Sequence, residues 1–407
     1  MGGTVEAKEI LSKLAAKLPK GVGGVDKQNL VAKILGETPA SDVAALRETL
    51  NSLLFKMEAN KASDIDLGGH GCKGSVWYRI FGEKKPDTSL GTLTPDESDF
   101  LLQSILTESQ REHLCRERNL DFSFVAADAK TSFRFRGDMY FDLDSLALNM
   151  RIIANAIRPF TDLELHPNIA RALAIKFDKH GLILVTGLTG AGKSTTLDSI
   201  IDLNNQTSTG HIVIIGSPIE TVHQPSNCIV RHREVGKDVL SFKEGAIQAL
   251  RQDPNIVVVG EMRDPETILT VLEITDSGHK VFSTLHTASA VESIDRIIGE
   301  CAVEEQNRVR ERLADTLKCV LSQKLVPTVD GKRVLAKEVM LMTSSIRAAI
   351  KNNNSGEIFQ MIFESADQGM TTLEQDLKRL FAKGRISREE AMNYANNKKR
   401  LDEILKE

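Results

Sequence analysis

One run, Gly187-Leu188-Thr189-Gly190-Ala191-Gly192-Lys193-Ser194, restricts the possible folds of this chain more than anything else in it. It has the pattern G-x-x-x-x-G-K-S, which works as a phosphate-binding loop only between a strand and a helix. Both neighbours are legible. Residues 182–186 form an apolar stretch that reads as a buried strand, and from Ser194 and Thr195 to residue 203 apolar positions recur at helical spacing. In such a loop the glycines let backbone N–H groups turn inward onto phosphates, the lysine ammonium reaches the terminal phosphates, and the serine hydroxyl ligates magnesium. The expected ligand is ATP with Mg2+, held by residues 187–195, with Ser194 on the metal.

The rest of the chain can be laid out around that loop. Strand patterns at Leu182, Ile212, Ile256 and Val281 alternate with helical patterns after Lys193, Ser241, Pro265 and Ser289. Such alternation predicts an α/β fold with a mostly parallel sheet covered on both faces. Upstream, apolar positions from Val43 to Leu54 recur at helical spacing, and strand-like segments lie at 63–67, 75–80, 121–125 and 132–140. A helix start is signalled at Thr94-Pro95-Asp96-Glu97. These elements describe a smaller α+β domain. Residues 1–41 mix short helical patterns with Gly- and Lys-rich breaks and read as a peripheral extension. The C-terminal stretch is helical: capping boxes are expected at residues 371–374 and 387–390, with Gly384 past a helix end and an apolar stripe of Leu373, Leu377, Leu380 and Phe381.

Composition narrows the function classes. With 52 basic against 56 acidic residues and a net charge of −4, the overall field does not draw in nucleic acid. The N-terminus lacks a basic segment followed by an apolar one, and no apolar run approaches the ~18 residues needed to span a bilayer. The expectation is a cytoplasmic protein without an integral membrane segment. Five scattered cysteines, with no C-x-x-C pair, read as reduced thiols rather than a zinc site.

Hydrolysis needs a carboxylate to position or deprotonate water. Residues 256–259 are an apolar strand that delivers Glu261 just past its carboxyl end, the edge where open α/β sheets place ligands. Glu261 is the candidate catalytic base. His286 follows another short apolar strand and falls on the same rim, where an imidazole can sense the γ-phosphate or orient water.

Taken together, residues 187–194, the segment 218–224, Arg233-Glu234-Val235-Gly236, residues 250–255, Gly260-Glu261-Met262-Arg263-Asp264 and Leu285-His286-Thr287 resemble the secretion-ATPase superfamily, and within it the PilT-like type IV pilus retraction ATPases. The resemblance covers about residues 60–405. It implies a RecA-like P-loop motor domain at 161–343, a PAS-like α+β domain at 42–145, a hinge at 146–160 and a helical C-terminal subdomain at 344–407. It also implies a homo-hexameric ring, open to mixing with a paralogous ATPase, that works at the inner-membrane pilus assembly platform and removes pilin subunits as ATP is turned over. Arginines of the N-terminal domain and hinge reach the phosphates in this family, which makes Arg134, Arg136 and Arg151 the candidate fingers. A guanidinium fork suits the dispersed charge of phosphoryl transfer. Extension and type II secretion ATPases usually carry a tetracysteine module after the histidine motif, where this chain has only Cys301 and Cys319.

The sequence departs from that family in two places. Two acidic residues usually precede Pro-Ile-Glu, but here Gly216 and Ser217 stand before Pro218, with Glu220 offset. Residues 344–351 resemble the retraction motif at Ile346-Arg347, but its usual ending is replaced by Asn352-Asn353-Asn354-Ser355. An ATP-binding subunit that hydrolyses weakly and joins an active paralogue is therefore an alternative reading. A nucleic-acid translocase is a third, disfavoured by the near-neutral charge and the lack of a basic, aromatic-rich stripe.

Overall fold

The computed structural model of the protein describes residues 2–128, 131–153 and 157–406. It divides into two compact units, Met1–Asn155 and Ala156–Glu407.

The first unit runs α1 (Gly2–Ala15), α2 (Gly24–Gly36), α3 (Ala40–Ala59), β1 (Ala62–Gly68), β2 (Val76–Ile80), β3 (Glu83–Asp87), α4 (Pro95–Gln103), α5 (Glu108–Glu117), β4 (Asn119–Ala127), β5 (Ser132–Asp142) and β6 (Ser145–Ile153). Its sheet is antiparallel throughout, in the order β3-β2-β1-β6-β5-β4. Thr94 and Glu97 close a reciprocal capping box at the start of α4, with Pro95 just inside, as the sequence signalled.

Two expectations are corrected here. Residues 1–41 are not peripheral: Ala7, Leu11 and Leu14 of α1 and Val31 and Leu35 of α2 enter the core shared by α3 and the sheet. Their one-turn and two-turn spacing puts them on one face. Polar groups follow, since Lys8 and Ser12 bond both oxygens of Glu97 at 2.6 and 2.7 Å, and Lys27 and Gln28 meet buried Asp99 at 2.7 and 2.8 Å. Nor do residues 146–153 form a hinge: they are most of β6, paired with both β1 and β5. Of that expected hinge, residues 154–156 lie outside the described residues, and Phe160–Leu163 is a single 3-10 turn.

The second unit contains α6 (Pro167–Leu173), β7 (Gly181–Thr186), α7 (Lys193–Thr207), β8 (Gly210–Gly216), β9 (Cys228–Glu234), α8 (Phe242–Ala249), β10 (Ile256–Val259), α9 (Pro265–Asp276), β11 (Lys280–Leu285), α10 (Ala290–Gly299), α11 (Val303–Thr316), β12 (Leu317–Pro327) and β13 (Arg333–Leu341). The helices α12 (Ser344–Lys351), α13 (Ile358–Glu364), α14 (Leu373–Ala382), α15 (Arg388–Tyr394) and α16 (Lys398–Ile404) complete it. The sheet order is β13-β12-β7-β11-β10-β8-β9, parallel except for the β12–β13 hairpin at one edge.

Alternate residues of the central strands enter opposite cores. Leu182, Leu184, Val257, Val259 and Val281 face one, with α9, α10 and α11, while Ile183, Val185, Ile256, Val258 and Phe282 face the other, with α6 and α7. Burial on both faces is why these strands read as unbroken apolar runs. The C-terminal helices pack Leu373, Leu377, Leu380 and Leu401 against Val326 and Ala336 of the hairpin. The expected box at 371–374 is displaced by one residue: Thr372 is the N-cap and Gln375 closes the box, since the helix begins at Leu373. Phe381, the last member of the expected stripe, is exposed rather than buried in that core. Gly384 follows the helix end with φ +64°. Among the described residues no helix is long and apolar enough to cross a membrane.

Candidate functional site

The loop after β7 owes its shape to three left-handed glycines, Gly187 (φ +153°), Gly190 (φ +80°) and Gly192 (φ +85°). At Gly187 a side chain is also excluded by space, because a Cβ there would lie 2.6 Å from the Gln323 carbonyl oxygen. The loop leads directly into α7, whose first residues are Lys193 and Ser194, followed by Thr195. First-turn N–H groups of a helix this long face outward from its positive end, ready for an anion. Across the loop, Gln323 Nε2 on β12 donates to the Ala191 carbonyl at 2.7 Å.

Three side chains converge at the carboxyl edge of the sheet. Lys193 Nζ donates to the Gly187 carbonyl at 2.8 Å and approaches His286 Nδ1 at 3.5 Å. His286 Nε2 lies 3.2 Å from Glu261 Oε1, and Arg263 Nη2 lies 2.7 Å from Glu261 Oε2. An ammonium can only donate and a carboxylate only accept, so both imidazole contacts are satisfied when Nδ1 carries a lone pair and Nε2 carries the proton. Burial holds the His286 pKa below its ordinary value, and the positive charge of Lys193 adds to this against the pull of Glu261. Lys193 is lowered by burial as well, opposed by the negative charges of Glu261 and Glu220. The sheet clasps these groups firmly. Ser283 and Thr284 hydroxyls on β11 donate to the Val259 and Gly260 carbonyls at 2.7 and 2.6 Å, which fixes the exit from β10 just ahead of Glu261.

β8 ends at Gly216, and Ser217 follows it. The charge of Glu220, two residues beyond Pro218, is felt at Lys193. A Cβ on Gly216 would come within 2.8 Å of Ile219 Cδ1, the movable end of a side chain. Beside it Asp198 of α7 accepts from the Thr221 hydroxyl at 2.7 Å and meets His223 Nε2 at 3.1 Å, tying the loop after β8 to the phosphate-loop helix.

Arg134, Arg136 and Arg151 belong to the first unit. Arg136 pairs directly with Arg151 across β5 and β6, and Arg134 is two residues along, so the three share a face of the sheet. Arg136 forks onto Asp121 at 2.6 and 3.2 Å, and Arg151 meets Asp64 at 2.9 Å. Sequence reading assigned no part to Arg263 or Gln323. Arg263 stands two residues past Glu261, a spacing compatible with contact, whereas Gln323 comes from a distant strand and leaves no local signal.

The signature of the family described as Type II/IV secretion system protein matches residues 145–333. The type IV pilus retraction ATPase PilT of Pseudomonas aeruginosa is 39% identical over 295 residues, covering 72% of this chain and 84% of that protein. The type IV pilus ATPase PilU of the same organism is 34% identical over 329 residues, covering 81% of this chain and 84% of that protein. Among solved structures, that of the pilus retraction motor PilT with bound ADP superposes with a TM-score of 0.78 at 35% identity, covering 87% of this chain and 98% of that one.

Proposed function

The chain belongs to the type II/IV secretion system protein family, and from that membership we propose that it is a hexameric ATPase that couples ATP hydrolysis to retraction of a type IV pilus. The observation that carries this is the Lys193–His286–Glu261 constellation at one end of a parallel sheet, beside a glycine loop and helix start of the kind that suits phosphate. The triphosphate lies along residues 187–195, its terminal phosphates on Lys193. The Ser194 hydroxyl would hold Mg2+, which would supply positive charge against the phosphates when bound. Glu261 accepts the proton of the attacking water or orients it. His286, neutral, holds Glu261 in place and senses the terminal phosphate through the nitrogen that now faces Lys193. Arg134, Arg136 and Arg151 form the arginine face offered to phosphates within the ring, exchanging Asp121 and Asp64 for a more highly charged partner. The protein acts in the cytoplasm, docked on the inner-membrane platform at the pilus base.

The test is Glu261→Gln, which keeps the shape and removes the base. Turnover should fall at least a hundredfold while labelled ATP binds with a Kd within about threefold of wild type. Retained hydrolysis removes Glu261 from its role.

Gly216 and Ser217 favour a second reading. Without carboxylates there, electrostatic organisation around metal and water is weaker, an effect on the order of a hundredfold in rate for a well-placed group. A chain of this kind would bind ATP, turn it over slowly and work inside a ring with an active paralogue. Turnover of the purified chain, alone and with such a paralogue, separates the two.

A further inference from the structure

β11 ends one residue before His286 and α10 begins at Ala290, so the imidazole hangs from a short link, residues 286–289. α10 itself holds part of it. Arg296 Nη1 donates to the His286 carbonyl at 3.1 Å, the Thr287 and Ser293 hydroxyls meet at 2.7 Å, and the Ala288 N–H donates to Glu292 at 2.7 Å.

Two further holds come from the far end of the chain. Glu338 on β13 accepts the Ala290 N–H at 2.7 Å and also a bond from the Leu373 N–H. One buried carboxylate therefore closes the first turns of α10 and α14 together. Asn396, between α15 and α16, donates its side-chain amide to the Ala288 carbonyl at 3.1 Å. That amide is oriented from behind, because Lys324 Nζ donates to Asn396 Oδ1 at 2.7 Å and to the Tyr394 carbonyl at 2.8 Å. Glu374, the second residue of α14, accepts the Asn397 N–H at 2.9 Å. A cavity of about 410 Å3 adjoins these groups, with Ala288, Glu338, Glu374 and Asn396 on its wall. The C-terminal segment thus reaches the link at its backbone, through Asn396 and the Ala288 carbonyl.

We propose that Asn396 and Glu338 are positioning residues for His286, so that the C-terminal helices set where the imidazole stands between Lys193 and Glu261. This rests on the reading of the site as an ATPase. Displacement of a positioned group by as little as 1 Å is enough to slow chemistry severely, and a link held at the Ala288 carbonyl, with the Ala290 N–H just beyond it held as well, transmits such a displacement. Coupling runs both ways: a nucleotide state that moves His286 changes how firmly α14 and α16 are held.

The experiment uses the full-length chain with Asn396→Asp, which keeps the acceptor for Lys324 and turns an oxygen toward the Ala288 carbonyl. Asn396 is exposed, so folding is not at stake, and an unchanged unfolding midpoint verifies that. The expected kcat falls five- to tenfold with KM within twofold. Combined with His286→Ala, the substitution adds nothing beyond His286→Ala alone, and Asn396→Gln, which retains a donor, recovers part of the loss. The rate at which diethyl pyrocarbonate modifies His286, followed by peptide mass spectrometry, changes at least threefold in Asn396→Asp. That last readout needs no turnover. If the wild-type chain hydrolyses no ATP, the proposed function falls, and the modification rate still decides whether Asn396 positions the ring. An unchanged modification rate, or losses that simply add to those of His286→Ala, overturns the proposal.

Discussion

Glu338 is 2% exposed, and burial raises its carboxyl pKa to about 7, with the charge of Glu374 adding to the effect and the Ala290 and Leu373 N–H groups opposing it. Lys324 also pulls it down, and Glu292 and Arg400 share the adjoining cavity. The folded value lies above that of a free glutamate, so between about pH 4.5 and pH 7 the folded chain retains a proton that the unfolded chain has lost. Stability from this group is therefore complete below that window and declines as pH rises through it, by up to about 3 kcal/mol. Glu338→Gln removes the titration, so its unfolding midpoint relative to wild type should be more favourable at pH 8 than at pH 5. Equal differences at the two pH values would show that Glu338 does not titrate there. At this scale the sequence was legible where a residue's surroundings are set by its neighbours along the chain. His286 follows directly on β11, Glu261 stands two residues past β10 and Lys193 opens the helix after β7, and their place on the rim follows from that. Gln323 and Glu338 act through residues far away in sequence, and no local pattern distinguishes them from other polar residues in a strand.

Elements were legible in proportion to how completely they are buried. β7, β10 and β11 are buried on both faces and stand out. β9 does not, because it is an edge strand whose Arg231, His232 and Arg233 dilute the apolar signal; charge along an edge is how sheets avoid pairing with other chains. The β12–β13 hairpin was hidden for a related reason, with lysines and a glutamine interleaved among its apolar residues. α1 was misjudged because its lysines and following glycines outweighed an apolar stripe of three residues. Leu11, 1% exposed, measures that error. Leu11→Ala should destabilise the first unit by about 2–5 kcal/mol in urea unfolding, the usual cost of emptying a buried leucine site. A loss below about 0.5 kcal/mol would mean that α1 is dispensable to the core.

For the whole molecule, the proposed ring makes turnover a collective property. Glu261→Gln chains that still bind nucleotide should enter rings with wild-type chains and arrest their neighbours, so activity should fall more steeply than the wild-type fraction as the two are mixed. A strictly linear fall, with sedimentation showing monomers at working concentration, removes the ring from the proposal. The same assembly should be indifferent to DNA, given a net charge of −4.

The order of strands also decides which amino acid can occupy position 286. β7, β11 and β10 lie side by side; Lys193 follows β7 across the phosphate loop, Glu261 follows β10, and His286 follows β11, the strand between them. Whatever occupies the middle seat must accept from the left and donate to the right. Lysine can do only the second and glutamate only the first, whereas a neutral imidazole does both with two nitrogens fixed in one ring. Exchanging His286 with either neighbour would preserve the composition of the site and leave its middle member unable to face one of the other two.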